Sequence, residues 1–508
     1  MVPMPQVRPA DVYRRGRPAF SHDSVVTMIR RSALFALPCA AFLLSACSSL
    51  PAPRTVEPPA DAVLLGRLFD ARAGTVLEHG VVVIAGERVR CAGARDACTW
   101  EAATPQHHYG DALLLPGLID LHVHARPHYI GAFVPSGVTT ARDAGNTLDT
   151  LARLRTTTGA PRLFATGPLL DGPDSVLTPK GPAPFDAATL GGQPALTLAS
   201  PADAVTVVDA LAEAGVDWIK LYEQLPPEVF DAAVQVAARH DLPVMADLGT
   251  VLTRGLTGAH VDARQAAASG VATLEHLGGA ALAYERLGGD PNAETLDPAL
   301  LDRIVADLAQ SGIAVVPTTA NGAQFFAPDS LPRDDLPGAA LMAADFTGYW
   351  SHLAGVLGDP EVQARARSDQ RLMRALLPRL LAAGVRVGAG SDLPAAPYML
   401  PGPALHQELD ALVRTGLTPV QALQSATHVA ADILGQSDLG RLEAGARADV
   451  LVVAGDPLAD IRATRRIEAV WTDGAPVDLA AAWTAVEDAL DAARAEAEAQ
   501  AEAASTEG

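Results

Sequence analysis

Lysine is almost missing from this chain of 508 residues: Lys180 and Lys220 are lysines, and arginine supplies every other basic side chain. Positive charge as a whole is scarce, 38 Lys and Arg against 59 Asp and Glu, for a formal net charge of -21. A balance that acidic disfavours binding to nucleic acid by neutralising its phosphates. Aromatic residues make up only 5% and cysteines number four, too few to staple a chain of this length. What is there instead is apolar bulk, 49% of residues, enough for a large core and against extended disorder except at the chain ends.

The lysine shortage directs attention to Lys220. It lies in VDWIKLYE, a short apolar strand pattern. A buried amine can give up its proton, which a guanidinium cannot, so the position reads either as a chemical requirement or as codon bias. Lys180, in the loop LTPKGPAP, takes the second reading.

Near the start, MIRRSALFALPCAAFLLSACSS from Met28 has a basic opening and an apolar run too short for a comfortable membrane span, ending in LSAC at Cys47. This is the layout of an export signal, and LSAC resembles the lipobox of bacterial lipoproteins. The resemblance implies cleavage before Cys47 and its acylation as a lipid anchor. With Ser48 following, it implies the periplasmic face of the outer membrane, and the membrane is a partner only through that anchor. Residues ahead of Met28 read as a miscalled start. Export leaves Cys91 and Cys98, which either close a small hairpin disulfide or stay as thiols, depending on a separation of α-carbons that sequence does not supply. At the far end, the Ala- and Glu-rich segment 479–508 reads as an exposed helix fraying into disorder.

Between the ends the rhythm changes twice. Residues 61–115 show short alternating segments and glycine turns, as in a small β domain. From 116 to 432 the pattern becomes strand, loop, helix, with eight strands at LLLPGLIDLHVH, GVTTARDAG, RLFATGPLL, DWIKLYE, LPVMADL, ATLEHL, IAVVPTTA and VRVGAGSD. Short strands return over 433–478. The fold class expected is α/β: a (β/α)8 TIM barrel inserted in a small split β-sandwich domain, with the leader and a linker ahead of residue 61. Active sites of such barrels lie at the carboxyl ends of the strands. His122, His124, Lys220, Asp247, His276 and Asp392 fall at those ends.

In LIDLHVH, extended-chain alternation turns His122 and His124 to one side, half of a metal site. With these blocks in hand the chain resembles the metal-dependent amidohydrolase superfamily, in its imidazolonepropionase-like and prolidase-like branch. The likeness runs from about Asp61 to Val477 through PGLIDLHVH, GVTTARDAG, DWIKLYEQLPPEVFDAAV, GVATLEHL, GAGSD and GRLEAGARADVLVV. It implies one or two divalent ions, zinc first and manganese or magnesium as alternatives, held by His122, His124, Lys220, a fifth-strand residue, His276 and Asp392. In a two-ion site it implies a carbamylated Lys220. The fifth strand, LPVMADLG, offers Asp247 where the family usually has histidine. A carboxylate is a legitimate ligand of shorter reach that favours harder ions.

The activity implied is hydrolysis of an amide or peptide-like carbon–nitrogen bond in a small substrate, a dipeptide or N-acyl amino acid, with Asp392 as general base. Deamination or cyclic-amide opening on the same site is the alternative. A binding lipoprotein without turnover is a further one, should Asp247 abolish productive metal binding. On the substrate side, Arg142 is a candidate fork for a substrate carboxylate, though a salt bridge with Asp143 or another acid is its more ordinary use; Tyr222 is a candidate oxyanion donor or a packed core residue, and His128 a candidate contact or a packed side chain. His260 competes for the metal from a nearby loop, His240 reads as a helix-end residue, and His406 and His428 as packed side chains. The Pro- and Gly-rich stretches GPDSVLTPKGPAPFDAATLGGQP and NGAQFFAPDSLPRDDLPG read as loops over the mouth that shape specificity.

Overall fold

The computed structural model describes residues 58–175, 183–249, 260–326, 335–342, 346, 350–351 and 360–506. Residues 1–57, with Cys39 and Cys47, and Lys180 lie outside them. The chain opens with β1 (Ala62–Asp70), β2 (Thr75–Ala85), β3 (Arg88–Ala94) and β4 (Gln106–Pro116). Then follow β5 (Leu118–Val123), β6 (Val138–Asp143), β7 (Arg162–Ala165), β8 (Leu169–Asp171), β9 (Ala195–Thr197), β10 (Ile219–Leu221), β11 (Val244–Ala246), β12 (Thr273–Glu275) and β13 (Ala314–Val316). It returns with β14 (Val450–Val453), β15 (Ile467–Thr472) and β16 (Ala475–Pro476).

The first and last groups join in one seven-stranded sheet, ordered β16-β15-β14-β4-β1-β2-β3. Alternation explains its two duties. Leu64, Val82, Ile84, Leu114, Val450, Val452 and Trp471 form one cluster, while Leu113, Leu115, Leu451 and Val453, offset by one residue, pack into the core shared with the barrel. Trp471 and Ile84 belong to strands far apart in the sheet order yet share that cluster, so the sheet curls on itself. Gly474 marks the closure: at φ +79, a Cβ there would lie 2.0 Å from the carbonyl oxygen of Gly86. Cys91 and Cys98 are joined as a disulfide, their α-carbons 5.8 Å apart, which settles the alternative left open by the sequence.

The barrel runs β5-β6-β7, then β8-β10-β11-β12-β13, all parallel, with β9 beside β8. The third barrel strand is broken at Thr166–Pro168: β7 pairs with β6, and β8 with β10. The eighth is the segment 386–393, bridging Val387 to Val315 and Leu393 to Val123 and so closing the ring. On β10 to β13, Ile219, Leu221, Val244, Ala246, Leu274 and Val315 face helices such as Pro201–Glu213, Pro227–Arg239 and Pro298–Ser311. Their neighbours Lys220, Met245, Glu275 and Val316 therefore face the lumen. Trp218, Met245, Ile119, Leu121 and Ala314 fill its amino-terminal end.

Two elements differ from expectation. NGAQFF belongs to a helix, Thr319–Phe326, rather than a loop. A Cβ on Gly322 would come 1.9 Å from the Gln370 Nε2, so the glycine marks close packing of side chains and not a turn. The C-terminal helix, Leu479–Thr506, docks over its first half, where Val486 and Leu490 are buried, and is exposed along its Glu-rich second half.

Candidate metal centre

Six of the residues singled out in the sequence converge at the carboxyl ends of the barrel strands. His122 is the hub. Its Nε2 lies 3.5 Å from Asp392 Oδ1 and 3.4 Å from Lys220 Nζ. His124 Nε2 is 3.2 Å from the same Asp392 oxygen. On the other side, Asp247 Oδ2 is 3.0 Å from Lys220 Nζ and 3.3 Å from His276 Nε2. The donor atoms form two trios, His122–His124–Asp392 and His122–Asp247–His276, each within 4.8 Å of one another.

Backbone geometry aims several of these groups. Alternation along β12 turns Glu275 inward and would turn the next residue away, but His276 adopts φ 59 and swings into the mouth; Asp392 does the same at φ 55. On β5 the strict alternation read from LIDLHVH is interrupted by register shifts at Leu118/Ile119 and Asp120/Val123. Asp120 turns to Ser391, accepting from its N–H at 2.9 Å and its hydroxyl at 2.6 Å. That ties the first barrel strand to the eighth directly beneath the two histidines. Gly390 permits the approach, since a Cβ there would sit 2.9 Å from the His122 Cβ.

Hydrogen bonds behind the site fix the imidazoles. His122 Nδ1 lies 2.7 Å from Glu275 Oε2, and burial holds its imidazole well below the ordinary histidine range, with Lys220 adding to the effect. The ring is therefore neutral, donates from Nδ1 and presents the Nε2 lone pair to the site. Thr318 donates its hydroxyl to Pro317 O and so accepts from His276 Nδ1 at 2.5 Å, which also leaves Nε2 facing inward. Burial alone would lower the His276 imidazolium, but Asp247 and then Asp392 outweigh it and push it up to about 9. Burial likewise opposes the Asp247 charge, and His276 and Lys220 overcome it, holding that carboxyl well below the carboxylate range.

These groups fit a divalent cation. Asp247 Oδ1 is buried without a hydrogen-bond partner, an orphan that an ion would satisfy. Without an ion, the two carboxylates are balanced by the Lys220 ammonium and the His276 imidazolium, and the protons on His276 and Lys220 sit where a cation would.

The substrate-side expectations divide. For Arg142 the substrate fork is corrected in favour of a salt bridge with an acid, Glu275: its guanidinium is fully buried, donating to Leu121 O at 2.7 Å, Thr273 Oγ1 at 3.1 Å and Glu275 Oε1 at 2.9 Å, over the Trp218 ring. It braces Glu275, which in turn holds His122, and is not offered to a substrate. Tyr222 stands at the mouth with its ring 5.7 Å from Lys220 Nζ. Burial, then Asp247, raise its phenol well above the ordinary range, so the hydroxyl keeps its proton. His128 lies in the loop after β5 with its ring against Tyr129, whose hydroxyl donates to His124 O. His260 is exposed and outside both trios, while His240 follows the helix 227–239 and pairs with Asp209. His406 is locked between Thr464 and Ser136. Glu275, Thr318, Asn321 and Glu408 were not singled out from sequence. Only Glu275 carried a signal, its place beside His276 at a strand end.

The amidohydrolase family model matches residues 113–477. No curated protein sequence matches. Among solved structures, this chain is similar to a putative prolidase from Bifidobacterium longum, with a TM-score of 0.59 and 23% identity over 85% of this chain and 100% of that one. A Xaa-Pro dipeptidase with methionine bound in its active site gives 0.61 and 19%, over 82% and 99%. A bottromycin amidohydrolase gives 0.59 and 25%, over 84% and 90%. The chain belongs to the amidohydrolase family, hydrolases acting on carbon–nitrogen bonds.

Proposed function

We propose that this protein is a metal-dependent hydrolase that cleaves the amide bond of a dipeptide or an N-acyl amino acid. The observation that carries the reading is the pair of donor trios sharing His122 at the barrel mouth. His122, His124 and Asp392 would hold one ion; Asp247 and His276, with Lys220 as a carbamate, would hold a second. A divalent ion bound there supplies Lewis acidity to the substrate carbonyl and lowers the pKa of water, zinc being the first candidate and manganese or magnesium next. Lysine state and ion number are coupled by charge. With an ammonium, and His276 neutral as a ligand, the cluster is one negative charge in excess and suits one ion; a carbamate adds two more negative charges and calls for a second.

The chain's own groups divide the remaining work. Asp392 accepts the proton of the attacking water and returns it to the leaving nitrogen as the carbon–nitrogen bond breaks. The Tyr222 hydroxyl, held protonated, donates to the carbonyl oxygen as it gains charge. A metal-supplemented screen against dipeptides, N-acyl amino acids and cyclic amides tests this. Turnover of one of the first two classes is expected, falling about 10²- to 10⁴-fold in Asp392→Asn. Ammonia release or ring opening instead would replace the reading with the deaminase or cyclic-amide alternative.

The reading extends to location: acylation at Cys47 and a place on the periplasmic face of the outer membrane. Its supports are the LSAC motif and the Cys91–Cys98 bond, of a kind that persists in oxidising compartments. Labelled palmitate incorporated by the wild type and lost in Cys47→Ala is the expected result.

A further inference from the structure

The seventh barrel strand contributes no ligand to either trio, yet the residues just past its end touch both halves of the site. Thr318, at φ 46, receives His276 Nδ1. Three residues on, Asn321 Nδ2 lies 2.8 Å from Asp392 Oδ2 and 3.4 Å from Asp392 O. Both partners are acceptors, so chemistry forces the amide nitrogen, not the oxygen, to face them. Asn321 is 6% exposed, which shields the bond from water.

The segment is itself pinned from outside the barrel wall. Glu408, on the helix Ala404–Thr415 and fully buried, accepts the backbone N–H of Thr319 at 2.9 Å on one oxygen and that of Ala320 at 2.6 Å on the other. These are first-turn donors of the helix Thr319–Phe326, which has no earlier carbonyls to receive them. A bidentate grip on two successive amides fixes the helix's start in position and angle, and with it the direction from which Asn321 meets Asp392.

We propose that the strap 318–321, clamped by Glu408, sets the orientation of the Asp392 carboxylate, with Asn321 as the positioning residue that directs Oδ1 toward His122 and His124. Resting on the metal-centre reading above, it adds a function for the seventh strand. A carboxylate with both oxygens free rotates about its last torsion and can turn either edge to an ion or to water. Asn321 occupies Oδ2 and leaves Oδ1 as the edge facing the two histidines, 3.2 and 3.5 Å away. The strap thus orders a ligand and a base in one contact, as outer hydrogen bonds to metal ligands do.

The test uses the full chain and two readouts, metal affinity by chelator competition with Zn²⁺ and steady-state kinetics on the substrate found by the screen. Asn321→Ala is expected to weaken zinc binding and lower kcat, each on the order of 10- to 100-fold, with KM changed less than about threefold. The near-isosteric Asn321→Asp is expected to be worse than Asn321→Ala, because it sets a second carboxylate against Asp392. A residue that merely fills space would show the opposite order. Glu408→Gln is expected to lower zinc affinity in the same direction, and the double variant Asn321→Ala/Glu408→Gln to lose no more than the poorer single, since both act through one contact. Wild-type zinc affinity retained in Asn321→Ala, or a milder effect for Asn321→Asp than for Asn321→Ala, would overturn the proposal. Failure of the wild type itself to bind zinc would instead overturn the metal-centre reading. Because the affinity measurement needs no substrate, the two failures are distinguishable.

Discussion

His276 sits between two carboxylates, and that decides how the site responds to pH. Its imidazolium is pushed up to about 9 in the metal-free protein, so an incoming ion must displace a proton at neutral pH. Metal affinity is therefore expected to rise about tenfold per pH unit from pH 7 to about 9 and then flatten, as read by chelator competition. Stability of the metal-free fold follows the same shift with its own sign. The folded value lies above the ordinary 6.5, so this contribution is complete below about pH 6.5 and is lost as pH rises through 9. A pH-independent affinity over this range would contradict displacement of a proton from His276 by the ion. Arg142 provides a second test at this scale. With Glu275 fully buried beside it, Arg142→Met leaves an uncompensated carboxylate in the lumen and is expected to cost about 3–5 kcal/mol in urea denaturation. The double variant Arg142→Met/Glu275→Gln should recover part of that loss. Nothing in GVTTARDAG tells how deep Arg142 lies. One layer below the mouth, a guanidinium becomes a brace for the site instead of a hand for the substrate.

Among the elements, the ligand-bearing strand ends were legible because each carried a short apolar run followed by a titratable residue, a pattern that needs no distant partner to be seen. The seventh strand was legible as a strand, but the role of the residues past its end escaped notice for the same reason. Thr318 and Asn321 are uncharged, and Asn321 meets Asp392 across 71 residues of sequence, Glu408 its amides across 88 and 89. Asn-Gly at 321–322 has the signature of a turn, yet here the glycine lets a helix pack against Gln370. The C-terminal helix was half legible. Its Ala- and Glu-rich composition indicated exposure correctly for the distal half, but Trp483, Val486 and Leu490, at spacings of three and four, form an apolar stripe that docks the proximal half. Trp483 lies so close over Gly338 that a Cβ there would meet its ring at 2.2 Å. Leu490→Ala is accordingly expected to cost about 2–5 kcal/mol, while Glu498→Ala, on the exposed half, stays within about 0.5 kcal/mol. Equal effects in denaturant melts would show that the helix does not dock as described.

For the molecule as a whole, barrel and satellite sheet are one design: a split sheet that joins the barrel core through Leu113, Leu115, Leu451, Val453 and Val470, and a ring of parallel strands whose ends gather ionisable groups. Order and count of the strands followed from periodicity. Closure did not, because the eighth strand is held by single bridges and the curl of the sheet depends on contacts such as Gly474 with Gly86. The account stands on the convergence of that closure at His122, the one residue common to both trios. Calorimetric titration of the metal-free protein with Zn²⁺, wild type beside His122→Ala, measures it most directly. One or two ions bound per wild-type chain, with saturable binding abolished in His122→Ala, is the predicted result. No saturable binding in the wild type, or binding unchanged in the variant, would contradict it.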